Sequence, residues 1–150
     1  MKNIFNAEDN QELLTRLKNL KSDSIAGWGK MNVGQMVTHC QKPLEVAGQK
    51  LEMKRGLISL LFGKMMKNKL IIKGEDFKIN LPTAKEFIIK TDCDFDREKS
   101  ILSNMIKELG TKGEHAIKIE THPFFGKMSA NEWGILFYKH TDHHLRQFGV

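Results

Sequence analysis

The chain lacks most of the features that announce a function. Its 150 residues contain only two cysteines, Cys40 and Cys93, without CxxC spacing, so no disulfide framework is expected and reduced thiols are. No apolar run approaches the roughly 20 residues that a membrane span needs. The opening Met1-Lys2-Asn3-Ile4-Phe5-Asn6-Ala7-Glu8-Asp9 has no apolar signal-peptide core, and the expectation is a cytoplasmic protein. There is no nucleotide-binding glycine loop, no GxSxG elbow and no HExxH. Within the histidine pair near the C-terminus, position 141 is Thr where a zincin carries its glutamate base, which disfavours ordinary zinc-peptidase chemistry.

What is present is an ordinary globular composition, 40% hydrophobic and 28% charged. A chain of this length fits one domain over 1–150 with a single core. The formal charge of +6 is modest, but its distribution is not even. Between Lys50 and Lys73 seven basic residues and the lone acid Glu52 interleave with Leu57, Ile58, Leu60, Leu61, Phe62, Met65 and Met66. Such a basic amphipathic segment suits an acidic partner, a membrane surface or nucleic acid, although a docked helix with a solvated lysine face is the commoner outcome. Aromatic stacking platforms do not interleave with the cations, which argues against nucleic acid.

Helical periodicity dominates. The first helix is expected from about Ala7 to Leu20 with Asn6 as N-cap, the second from the N-cap Asn32 to about Gly48, and a short one from about Arg55 to Asn68. A third long helix is expected over about Asp96 to Leu109, with Gly110 as the residue that ends it. The fourth starts at Ser129-Ala130-Asn131-Glu132, a capping box, with Met128 placed to staple against Trp133, and reads to about Phe148. Short strands are expected at Lys69–Lys73 and Glu86–Lys90. The segments around Gly27-Trp28-Gly29 and Thr121-His122-Pro123-Phe124-Phe125-Gly126 read as loops.

The C-terminal helix concentrates the chemistry, with three of the six histidines inside Tyr138-Lys139-His140-Thr141-Asp142-His143-His144. His140 and His144, one turn apart, fall in the apolar seam with Trp133, Phe137 and Phe148, and two imidazoles at that spacing can share one metal ion. The other reading is a pair of core histidines hydrogen-bonded to side chains, because a buried imidazole needs partners of some kind. His143 falls toward the seam's edge, where a surface position is favoured over a supporting one, and Asp142 lies opposite the seam as a solvated acid. A third ligand must come from another helix. His39 is the best candidate, since it lies in the apolar half of the second helix. Pro43, four residues on, withdraws a hydrogen bond from the His39 carbonyl and bends the helix; aiming His39 is one role for it and packing alone is the other. Cys40 reads as core rather than as a ligand or nucleophile, His115 as exposed, His122 as lining a cleft mouth, and Phe124-Phe125 as a hydrophobic plug, with a substrate wall as the alternative.

Trp28, Gln35-Met36-Val37-Thr38-His39 and His140-Thr141-Asp142-His143-His144-Leu145-Arg146-Gln147 together resemble the DinB-like superfamily, whose pattern is a histidine on the second helix and HxxxHxxQ on the fourth. The resemblance spans the whole chain, and the Trp-Gly-Lys-Met, His-Pro-Phe-Phe-Gly and His-His-Leu-Arg-Gln-Phe-Gly pieces resemble one uncharacterised branch. It implies an all-α, up-down-down-up four-helix bundle, often dimeric, with a long crossover and a short extra helix between helices two and three. It also implies one divalent ion, zinc or nickel, on His39, His140 and His144, with positions left open. Characterised relatives include thiol-dependent transferases and isomerases. The implied function is a metal-dependent enzyme of the thiol transferase or hydrolase type, acting on a small molecule with a low-molecular-weight thiol. A non-catalytic bundle with a structural metal or none, serving as a binding or dimerisation module, is the alternative. The chain departs from the pattern at Thr141, where relatives often carry an acid.

Overall fold

Each of the four long helices begins at a side chain that takes up free backbone N–H groups. In the computed structural model, which describes residues 1–150, Asn6 caps α1 (Ala7–Asn19) through its side-chain oxygen. Asn32 and Gln35 form a reciprocal capping box at α2 (Val33–Ala47). After the short α3 (Leu57–Lys67), Asp94 caps α4 (Phe95–Lys112). Ser129 and Glu132 close the expected box at α5 (Ala130–Gln147). Such caps satisfy donors that no helical carbonyl reaches, and each contributes about 1 kcal/mol. The molecule is mostly helical, with five α-helices and one two-stranded antiparallel sheet, β1 (Thr121–His122) and β2 (Gly126–Lys127). No helix is long and apolar enough to cross a membrane.

Helices α1 and α2 each pack against both α4 and α5. Their apolar faces meet in one core that includes Leu13, Leu17, Met36, Val37, Leu102, Ile106, Trp133, Phe137 and Leu145. Met128 and Trp133, the expected staple, are both buried in it. Helix α2 continues through Pro43, and its polar-side Gln41 is also buried, donating to the Glu98 carbonyl and carboxylate.

Gly110 does not end the third long helix. α4 runs on to Lys112, and the terminating glycine is Gly113, with a φ of 54°. Gly110 serves a close approach instead. A Cβ there would lie 2.9 Å from the side chain of Asn10, a buried amide on α1 that donates to the carbonyls of Ile4 and Ile106.

The expected strands at Lys69–Lys73 and Glu86–Lys90 do not form. Residues Asn68–Ile72 make a π-helical turn in which the adjacent Leu70 and Ile71 are both buried, which the strict alternation of a one-sided strand does not allow. At the second place a 3-10 turn, Lys85–Phe87, buries Phe87. The observed strands lie in a segment expected to be a loop. They flank a turn whose Phe124 and Phe125 N–H groups both donate to His122 Nδ1, at 2.9 and 3.2 Å.

The basic segment inverts its expected packing. α3 buries only Ser59 and Gly63, while Leu57, Ile58, Leu60, Leu61, Phe62 and Met65 are exposed. The small residues are the ones that fit. Ser59 Oγ donates to the Pro123 carbonyl at 2.7 Å, and a Cβ on residue 63 would stand 2.0 Å from the Phe124 carbonyl oxygen. Close contact between the α3 backbone and the β1–β2 turn therefore sets which face of α3 points inward.

Candidate metal centre

Three histidines from two helices converge where α2 packs on α5. The ligating atoms of His39, His140 and His144 all lie within 4.8 Å of one another, so the trio could hold a metal ion. His39 and His144 are buried, and His140 keeps some exposed surface.

Hydrogen bonds fix two of the three tautomers. His39 Nδ1 lies 2.9 Å from the Phe87 carbonyl oxygen; a carbonyl only accepts, so Nδ1 carries the proton and Nε2 presents a lone pair. His144 Nδ1 lies 2.8 Å from Gln147 Oε1. The Gln147 amide is itself oriented by donating from Nε2 to the Trp28 carbonyl at 2.5 Å, so His144 Nδ1 is also the donor and its Nε2 is free. Fixing the distal nitrogen of a ligand histidine in this way is a regular accompaniment of metal sites.

The lone pair on His39 Nε2 faces His140 Nε2 at 3.2 Å. A proton on His140 Nε2 or a shared cation can join nitrogens at this separation. Two imidazole ligands each at about 2.0–2.1 Å from one ion are themselves about 3–3.4 Å apart, so this pair already stands at ligand spacing. The donor set is three nitrogens with no carboxylate, which suits zinc, nickel or copper and not calcium or magnesium.

The electrostatics keep these rings neutral. Burial pushes the His144 imidazole down to about 3, helped by His39 and opposed by the bond to Gln147. Burial also lowers His39, against the Phe87 carbonyl. His140 falls well below the usual imidazole range, through burial first and then its neighbours His144 and His39. Metal ligation requires the neutral ring, so a set held deprotonated at neutral pH has no proton to displace.

Around the trio the structure revises several expectations. His143 is not a plain surface residue: it is half-buried, with its ring 5.6 Å from Trp28, 5.7 Å from Phe77 and 5.1 Å from His144. Asp142 is not a solvated acid, since Arg16 pairs with it at 2.7 Å and Arg146 at 3.0 Å. His122 lines no open mouth. It is buried with its ring 4.9 Å from Trp133, and burial pushes its imidazole down to about 3. His115 is exposed and Cys40 is buried, as expected. Burial raises the Cys40 thiol far above its ordinary range, so it is inert at neutral pH.

Contributors that pattern reading missed come from the crossover and the last turn. Phe87 supplies its carbonyl to His39 and a ring 6.1 Å from it, and Phe77 packs 6.2 Å from His140. Gln147 could have been found, because it lies three residues after His144 and such pairs share a helix face. No curated protein and no solved structure matches the chain. Residues 2–149 match the family described as "Protein of unknown function (DUF1569)", and with nearly its full length covered the chain belongs to that family.

Proposed function

We propose that the chain is a metal-dependent enzyme of the thiol transferase or hydrolase type, built as one DinB-like domain over residues 1–150, in which His39, His140 and His144 hold a divalent ion, zinc or nickel. The observation that carries this reading is the pair of imidazole lone pairs, on His39 and His144, fixed by the Phe87 carbonyl and the Gln147 amide beside His140. The mutual packing of α1, α2, α4 and α5 supports the up-down-down-up bundle, with α3 in the crossover between α2 and α4. Three protein ligands leave coordination positions for a reactant, the arrangement that separates catalytic from structural zinc.

When bound, the ion supplies Lewis acidity toward a small-molecule substrate, for which a low-molecular-weight thiol is the preferred partner. The chain's own residues supply the rest. Phe87 and Gln147 hold two rings in fixed tautomers, so binding loses little orientational freedom. Phe77, Phe87 and Trp28 place aromatic surface beside the histidines and limit water on that side, which strengthens charge interactions within. Asp142, tied to two arginines, leaves no free carboxylate on its side of α5 to act as base.

Metal analysis of protein purified without a histidine tag tests the site. One equivalent of zinc or nickel is expected, lost in His39→Ala with the helical circular dichroism retained. Protein that stays metal-free under metal-replete conditions overturns the reading. Loaded protein that transfers no group to any of a panel of low-molecular-weight thiols, and hydrolyses no ester or amide probe, reduces it to a structural metal.

A further inference from the structure

A second surface needs explanation, and it lies away from the histidines. α3 carries six large apolar side chains in the open, with Leu57 78%, Leu61 74% and Ile58 69% exposed, followed by Leu60, Phe62 and Met65. At about 100° per residue these six cover roughly half of the helix circumference. Monomeric proteins rarely leave a contiguous apolar patch above a few hundred Å² uncovered. Nor is the helix loosely attached: Ser59 and Gly63 seat it on the β1–β2 turn, and Lys67 bonds the Lys127 carbonyl and pairs with Glu132 at 2.8 Å. The apolar half is held outward.

Charge decides what covers it. Lys54, Arg55, Lys64, Lys69 and Lys73 flank or interrupt the apolar half, and none of them pairs with a carboxylate. Glu52 is the lone acid between Lys50 and Lys73. A second copy docking α3 on α3 would press like charges together and trap Lys64 in an apolar seam with no counter-charge. A peptide-binding groove reads a narrow stripe of anchors at i, i+3, i+4 and i+7, whereas here the apolar residues fill half the cylinder and cations stand at both ends. That layout fits a flat boundary between hydrocarbon and anionic headgroups. Apolar chains enter the acyl region, and flexible lysines, Lys64 included, extend back to the phosphates.

We propose that α3 and its flanking cations dock the protein on the surface of an anionic lipid bilayer. The proposal does not depend on the metal centre and holds for metal-free protein. Co-sedimentation with phosphatidylcholine vesicles, with and without phosphatidylserine, tests it. Binding is expected with the anionic vesicles only, weakening as salt rises, and Leu61→Glu should reduce it at least about tenfold. Lys64→Glu should weaken it as well, with unchanged thermal melts in both variants showing that the fold is kept. Equal absence of binding to both vesicle types overturns the proposal. So does a lipid-free dimer in sedimentation velocity that Leu61→Glu dissolves, which assigns the face to a second copy. Retention on polyglutamate that requires Leu61, with no vesicle binding, assigns it to an acidic protein and overturns the lipid reading equally.

Discussion

The histidine cluster and α3 are mirror images in their relation to solvent. Between α2 and α5 polar rings are buried, and on α3 leucines and a phenylalanine are exposed. Each arrangement is unfavourable in isolation, the first because polar groups lose water and the second because apolar groups keep it. The local scaffolding is nonetheless specific in both places. A carbonyl and an amide set the tautomers of His39 and His144, and a serine and a glycine set the roll of α3. A region held firmly in an unfavourable medium leaves room for a companion, and the two proposals above assign opposite ones: a cation and an anionic lipid surface.

The turn that seats α3 is the most damaging place to cut. His122→Ala removes the ring against Trp133 and the acceptor for two turn N–H groups; urea unfolding should show a loss of about 2–4 kcal/mol, with metal stoichiometry unchanged. A pH series sharpens the same point. The folded His122 imidazole is pushed down to about 3 from an unfolded value of 6.5, so the unfolded chain binds more protons between those values. Its stabilising contribution is complete above pH 6.5 and is lost as pH falls toward 3. Thermal melts of metal-free protein should decline through that window less steeply in His122→Ala than in the parent, the remainder coming from His39, His140 and His144, which burial also holds low.

Next in size is Gln147→Leu. It leaves the three ligands in place and releases the His144 tautomer, so calorimetric titration with zinc should show affinity lower by about 10–100-fold. If affinity is unchanged, the Gln147 bond is packing and nothing more. His140→Leu should separate function from stability, abolishing metal binding while changing the stability of metal-free protein by less than about 1 kcal/mol, because the gain from a hydrocarbon side chain is offset by the partner lost at His39 Nε2. Leu61→Ser has the smallest effect, changing lipid-free stability by less than about 0.5 kcal/mol. A larger loss would mean that the exposed face of α3 has a partner within the chain, which would collapse the contrast with the histidine cluster.

The parts legible in the sequence are those governed by near neighbours. Ser129 with Glu132, and Asn32 as cap, start α5 and α2 where local chemistry says they must, and helical spacing alone puts His140, His144 and His39 on apolar faces. Leu70-Ile71-Ile72 misled because an apolar run with two β-branched residues suits a strand locally, and only tertiary packing made it a π turn. Gly110 looked like a helix terminator because its real constraint, Asn10, lies a hundred residues away. The Phe87 carbonyl was unreadable for a similar reason, since any residue supplies a carbonyl and only the path of the crossover brings this one to His39. On α3 the usual rule, large apolar residues inward, gave the wrong face; Ser59 and Gly63, four apart, were the signal that a close backbone approach would win.

Trp28 bears on how the histidine cluster can be observed. It accepts the Gln147 amide on its carbonyl and sets its ring 5.6 Å from His143, while the other indole, Trp133, is sealed in the core against His122 and Phe137. Of the chain's two fluorophores of this kind, one is coupled to the histidine end of α5 and the other to the packed interior. If the proposed ion binds at the histidines, the expected result is a shift in Trp28 emission, with Trp133 as the internal reference. The position of Trp28 thus gives the proposed metal binding a label-free optical test.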